Sequence, residues 1–444
     1  MFNTAENPNA KADIGLIVAY PFQFYVFKNI YRHLPNAEFI VDLGVHFPHK
    51  PEARIAEDIL ALLKKHGVYY RVIHHEDYFF RTYLEKFFSQ YAVLSSLWWK
   101  GCITLECNAE KKKVSVNYGG GKDLSLFRPW GRLWDLNLAM GRRDHELLKF
   151  YTHSVITGNE KFDDWFNNEF DEEFLSDLRR RLDPKKKTVL YLPTHGDLSS
   201  FESIIPRGEW MTKEFNFIAK VHYHTVRSEP ERMELLKSAE HIIGFNDDTD
   251  LLPLLKVADV VVSDNSSAIF DAILADKPLV VADFWTAEFL DGKYRKINIE
   301  KYWNQTPLTY SGSIEQRIKK EGAVLTINHP EYAYGTIKKA LLDNNRFKAA
   351  RERIRKEVFE YNDGKCGARS AQAILELKEK NPDAKPILFH VFNAFEMEIE
   401  ARAQKTQIEV INKPMRFLWT LILSAAAKKI IRIADNWGKI FFPR

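Results

Sequence analysis

The chain has 444 residues, 45% of them hydrophobic and 28% charged, which is more than one hydrophobic core normally organises and ordinary for a soluble globular protein. A formal net charge of +4 gives no overall polyanion-binding character, and three cysteines cannot build a disulfide framework. The polar opening MFNTAENPNAKAD lacks the apolar core of a signal peptide, and the longest apolar stretch, 417–427, is about half the roughly 20 residues that span a bilayer. The sequence therefore reads as a protein made and kept in the cytoplasm.

Short runs rich in Val, Ile and Leu recur along the chain and predict strands at 14–19, 38–43, 69–74, 114–117 and 154–158. A second set is predicted at 188–193, 215–222, 241–245, 259–263, 278–283 and 323–327. Continuous apolar runs, rather than alternating ones, fit strands buried on both faces of parallel sheets. Helical patterns between them, such as 53–65 and 250–257, read as right-handed crossovers. The charged stretch 160–187 separates the two sets, and Pro184 followed by three lysines marks a boundary. The expected organisation is α/β, with two Rossmann-like domains. An acceptor-side domain spans 1–160, a helical linker 161–187, a nucleotide-donor domain 188–380 and a helical tail 381–444. Ligands of such folds bind in the crevice at the carboxyl ends of the strands.

Four segments place polar side chains at those ends. In Val116–Asp123, three consecutive glycines permit close backbone approach to a ligand and Lys122 offers a positive charge, or the segment is a flexible loop. In Tyr191–Asp197 a strand leads to Thr194 and His195 at the cleft edge, in what is also an ordinary turn. In Phe217–Thr225, alternation along an extended chain puts Lys220, His222 and His224 on one side. Those three suit a pyrophosphate, because cations and N–H donors stabilise a departing phosphate. Two histidines at this spacing also suit a metal, but no third ligand is evident. In Ala258–Asp271 an apolar strand runs into Ser263-Asp264-Asn265-Ser266-Ser267 ahead of an apolar helix, which makes either a phosphate seat or a plain helix cap.

Taken in order, from about Val114 to Leu377, these segments resemble the CDP-glycerol glycerophosphotransferase family of teichoic-acid primases and polymerases. The family's Gly-x-Pro-[Lys/Arg]-Phe-Asp element is matched by Gly158-Asn159-Glu160-Lys161-Phe162-Asp163, and its Tyr-x-Pro-Thr turn by Tyr191 to Thr194. Its Lys-x-His-Pro element corresponds to Lys220-Val221-His222-Tyr223. Its Ser-Asp-Tyr-Ser-Ser-x-x-x-Asp signature corresponds to Ser263–Ser267 with Asp271. Asp276-Lys277-Pro278 and the segment Tyr361–Ser370 follow at the familiar places.

The resemblance implies a GT-B architecture, a donor held mainly by the C-terminal domain, no resident cofactor and catalysis without a bound metal. It implies that His222, Ser266 and Ser267 hold the donor's diphosphate. The candidate donor-binding residues are then Thr194, His195, His224, Asp264, Ser266, Ser267 and Asp271, and the candidate catalytic residues are His222, Lys220, Tyr118 and Lys122. Three positions depart from the pattern. Tyr118 replaces the histidine implied as acceptor-side base, and a tyrosine, with a usual pKa of about 10, is a poor base at neutral pH. Tyr223 replaces a proline, and Glu160 replaces another.

The expected reaction transfers glycerol phosphate or a related polyol phosphate from a CDP-activated donor to a cell-envelope polymer or lipid-linked acceptor. The alternatives are a GT-B glycosyltransferase using a nucleotide sugar and a non-catalytic binding partner. In the tail, Met415, Leu418, Trp419, Ile422, Ala426, Ile430, Ile433, Trp437 and Ile440 form one helical stripe opposite Lys428, Arg432 and Lys439. Residues 413–444 thus read as a helix for an anionic membrane surface, or one packed on the protein's own core. The first of these places the enzyme on the cytoplasmic face of the membrane, and no nucleic-acid partner is expected.

Overall fold

The computed structural model describes residues 12–42, 53–73, 92–95, 112–121, 134–149, 153–264, 266–284 and 313–379. The chain divides into two compact units, Met1–Pro382 and Asp383–Arg444, and every described residue lies in the first. Lys122 and the striped segment 413–444 lie outside the described residues.

The first sheet contains β1 (Ile14–Val18), β2 (Ala37–Asp42), β3 (Tyr70–Ile73), β4 (Ala92–Ser95), β5 (Lys112–Val116), β6 (Leu136–Ala139) and β7 (Ser154–Ile156). Their spatial order is β3-β2-β1-β4-β5-β6-β7, with every ladder parallel. The second contains β8 (Lys187–Leu192), β9 (Phe215–Lys220), β10 (Ile243–Phe245), β11 (Val260–Ser263), β12 (Leu279–Ala282) and β13 (Leu325–Ile327). Its order is β10-β9-β8-β11-β12-β13, again all parallel. Both sheets reverse direction once, beside β1 and beside β8, and open α/β sheets bind ligands at such a switch point.

The continuous apolar runs have the expected cause. Along β8, Val189 and Tyr191 enter one core while Leu190 and Leu192 enter the core on the opposite face, and all four are buried. The helix Cys366–Glu379 follows the second sheet in sequence but packs elsewhere. Its Ala371, Ile374 and Leu377 share a core with Phe24, Phe27 and the strands of the first sheet. Asp163 fixes its start, accepting from the backbone N–H of Cys366 at 2.8 Å and of Gly367 at 2.6 Å.

Glu160, one of the family departures, is 2% exposed and ties the same region together. Its carboxyl accepts from the hydroxyls of Ser370 and Thr157, the latter at 3.1 Å. Its carbonyl accepts from Asn29 on the helix Pro21–Tyr31 at 2.9 Å. Burial pushes the Glu160 carboxyl up to about 7.

Candidate active site

A cleft lies between the carboxyl ends of the two sheets. Phe22, Tyr25 and Tyr118 line it from the first sheet's side, and Lys220, His222, Ser266, Ser267 and Asp271 from the second's. The residues that close β8 and β11 are fixed to each other by Asp264. This carboxylate is 2% exposed and accepts from the Thr194 N–H at 2.7 Å, the Ser200 N–H at 3.0 Å and the Ser200 hydroxyl at 3.1 Å. Asp264 therefore faces away from the cleft and holds the two loops of the switch point in register. Thr194 is buried in that same contact.

The glycine run has a different use from the expected one. A side chain at Gly119 would meet Ser267, at Gly120 the ring of Phe359, and at Gly121, whose φ is +73°, the ring of Phe270. The three glycines let the turn after β5 lie directly on the first turn of the helix Ala268–Leu274. Their close approach is to protein. It brings Tyr118 and Ser267 to the lining of one cleft.

His222 is not on an extended strand, which corrects the reading that lined up three side chains by alternation. The strand β9 ends at Lys220, and His222 caps the helix Tyr223–Ser228, accepting from the His224 N–H through Nδ1 at 3.2 Å. With Nδ1 occupied as an acceptor, Nε2 of the neutral ring carries the proton and is a donor. His224 falls inside that helix and does not line the cleft. Burial and Arg227 hold its imidazole below the usual histidine range. His195 is likewise set back, its ring 4.5 Å from that of His222 and 4.4 Å from that of His224. Both rings lie beside that of His222, and neither lines the cleft. Among the described residues no group of three His, Cys, Asp or Glu side chains is arranged to hold a metal ion.

Lys220 lines the cleft, and burial lowers its ammonium below the usual lysine value, opposed by Asp247, Asp248 and Asp250. Of the cleft-lining carboxylates that act on it, Asp247 pairs with buried Arg227 at 3.2 Å. Asp250 caps its helix through the Leu252 N–H and pairs with Lys28 at 3.4 Å. On the same wall Asp271 pairs with Lys161 at 2.7 Å. Lys161 comes from the Gly158–Asp163 element, so two separate family-like motifs meet in one ion pair. Ser266 accepts from the Ala268 N–H at 3.3 Å and, with Ser267, presents its side chain to the cleft.

The sequence reading missed the aromatic wall. Phe22 stacks on Tyr223 at 5.1 Å and lies 5.4 Å from Tyr118, while Tyr20 lies 4.4 Å from Tyr223 and carries Arg227 over its face at 3.8 Å. Tyr118 and Tyr223, the two departures nearest the cleft, thus flank a single ring. Phe22 and Tyr25 sit just after β1, where no polar signature draws attention to them. Lys161 stood inside a recognised element, and its role follows only from the long-range contact with Asp271.

Lys220, His222, Tyr118, Ser266, Ser267 and Asp271 are brought together in one cleft. Residues 147–307 match the family model of CDP-Glycerol:Poly(glycerophosphate) glycerophosphotransferase. The glycerophosphotransferase resemblance is borne out.

None of the curated proteins matches the chain. Among solved structures it is similar to the wall teichoic acid polymerase TagF soaked with CDPG. The identity is 14%, over 84% of this chain and 91% of that one, with a TM-score of 0.56. A second TagF structure gives 13% identity over 86% and 92%, at the same TM-score. The chain is also similar to UDP-GlcNAc 2-epimerase from Neisseria meningitidis, at 12% identity over 82% and 99% with a TM-score of 0.50. At these identities the likeness establishes the architecture, the two-sheet GT-B arrangement expected from the sequence.

Proposed function

We propose that the chain is a glycerophosphotransferase, which moves glycerol phosphate or a related polyol phosphate from a CDP-activated donor to a cell-envelope polymer or lipid-linked acceptor. The observation that carries this reading is the convergence of Lys220, His222, Ser266 and Ser267 on one cleft, within and beside the segment that matches the family. An acceptor hydroxyl attacks the phosphorus that bears the polyol, and CMP departs. The Nε2–H of His222, the Lys220 ammonium and the two serine hydroxyls stabilise the charge that gathers on the departing phosphate. The acceptor enters past Phe22, Tyr118 and Tyr223.

The epimerase likeness supports a second reading, a GT-B glycosyltransferase using a nucleotide sugar, in which attack falls on carbon and a nucleoside diphosphate leaves. Purified protein is incubated with CDP-glycerol, CDP-ribitol and a nucleotide-sugar panel, and the released nucleotide is identified. CMP supports the first reading. A nucleoside diphosphate replaces it with the second, and no release with donor binding intact leaves a binding protein. The stripe in 413–444 supports attachment to an anionic membrane surface on the cytoplasmic side.

A further inference from the structure

We propose that Asp271 is the base that takes the proton from the attacking acceptor hydroxyl, a role that rests on the transferase reading above. Three carboxylates among the described residues line the cleft. Asp247 is committed to Arg227, and Asp250 to Lys28 and its own helix. Asp271 differs. Its side chain is 7% exposed, Oδ2 meets Lys161 at 2.7 Å, and Oδ1 is buried with no hydrogen-bond partner among the described residues. Buried carboxylate oxygens are almost always satisfied, and leaving one bare costs free energy, so an unsatisfied acceptor on a residue that lines a cleft suits a ligand hydroxyl once a small side-chain movement reaches it.

The placement agrees. Ser267 and Asp271 stand one helical turn apart, and Ser267 touches Gly119, the neighbour of Tyr118. Asp271 and Tyr118, which stands where the family pattern has a histidine, therefore line the same cleft. His222 does not compete for the task, because its Nδ1 is taken by the His224 N–H and its Nε2 is a donor in the neutral ring. Lys161 fixes the direction of the carboxylate by holding its other oxygen.

In the step itself the acceptor O–H proton passes to Oδ1 while the acceptor oxygen forms a bond to the phosphorus that carries the polyol. The bond from that phosphorus to the bridging oxygen breaks, and its electron pair leaves with CMP. Product release frees the proton from Asp271 to water.

The test compares Asp271→Asn and Asp271→Ala with wild type, using CDP-glycerol and a glycerol-phosphate oligomer as acceptor. Asp271→Asn should lower kcat by roughly 10²-fold or more, the usual contribution of a general base. CDP-glycerol binding by calorimetry should change by less than about threefold, under 1 kcal/mol. Formate should restore part of the turnover of Asp271→Ala, which a merely structural carboxylate would not allow. Unchanged kcat, or a loss confined to donor affinity, overturns the assignment. Should both variants misfold, a normal solvent isotope effect on wild-type kcat supports a base in the rate-limiting step and its absence overturns one. If wild type releases a nucleoside diphosphate from a nucleotide sugar, the donor reading fails, and the same variants and formate rescue then decide the base on that reaction.

Discussion

Gly119 lies so close to Ser267 that a Cβ on it would come within 2.7 Å of the serine Cβ and 2.8 Å of its hydroxyl. The turn after β5 and the serine pair after β11 are therefore one fitted contact across the two sheets. Gly119→Ala should displace Ser267 and weaken CDP-glycerol binding about tenfold, which corresponds to about 1.4 kcal/mol. Calorimetry reads this directly, and wild-type affinity in the variant would remove Ser267 from the donor seat.

His222 caps a helix through Nδ1 and lines the cleft, and the proposed reaction gives its Nε2–H a second, separable duty. His222→Ala should lower kcat by roughly 10²-fold or more, and loss of the cap should cost about 1 kcal/mol of stability. His222→Asn keeps a capping oxygen but no donor in the same place. It should recover the melting temperature and leave kcat low. Recovery of both would show that the cap alone mattered.

Asp264 satisfies two backbone N–H groups and one hydroxyl in a site closed to water. Asp264→Ala strands those donors, at about 1–3 kcal/mol for each buried group left without a partner. A clear drop in the denaturant midpoint is expected, together with weaker donor binding, because the loops after β8 and β11 lose their register. A variant as stable as wild type would mean that water replaces the carboxylate freely.

Glu160 makes stability depend on pH. Burial raises its carboxyl from an ordinary 4.5 to about 7, so between those values the folded chain keeps a proton that the unfolded chain has released. The contribution is fully favourable below about 4.5 and is lost as pH rises through 7, a difference on the order of 3 kcal/mol. Glu160→Gln accepts the same hydroxyls without a titration. Its melting temperature should match wild type near pH 5 and exceed it at pH 8. Parallel pH profiles for the two proteins would rule Glu160 out as the source.

The tail gives a prediction from sequence alone. A chain ending at Asn412 should fold, become more soluble and lose sedimentation with anionic liposomes, since each basic residue near such a surface contributes about 1 kcal/mol. A sharply lowered melting temperature would instead assign the stripe to the protein's own core.

The two sheets were legible because parallel strands buried on both faces leave runs such as Val260–Val262 that nothing else in the chain imitates. The strands β4 and β6 escaped notice. Ala92–Ser95 and Leu136–Ala139 are four residues long, and Asn137 interrupts the second. The cleft residues at strand ends could be read locally, as Lys220 and Ser266 show. The surroundings of Asp264, Thr194, His195 and His224 could not be read locally, because they depend on which way a turning backbone aims a side chain. The glycine run was noticed for the right property and given the wrong neighbour, since only the fold brings Phe270 and Ser267 against it. The helix at 53–65 was read with its observed bounds, from apolar spacing alone.

The helix Cys366–Glu379 has one more consequence, for synthesis of the chain. Its Ala371, Ile374 and Leu377 complete the core beneath a sheet whose first strand begins at Ile14. During translation that core stays open on one side while the whole second sheet is made and folds, although domains ordinarily close in the order they emerge. A nascent chain stopped before residue 366 therefore exposes the apolar side of the helix Pro21–Tyr31 to chaperones, and release of the helix Cys366–Glu379 is the event that seals it.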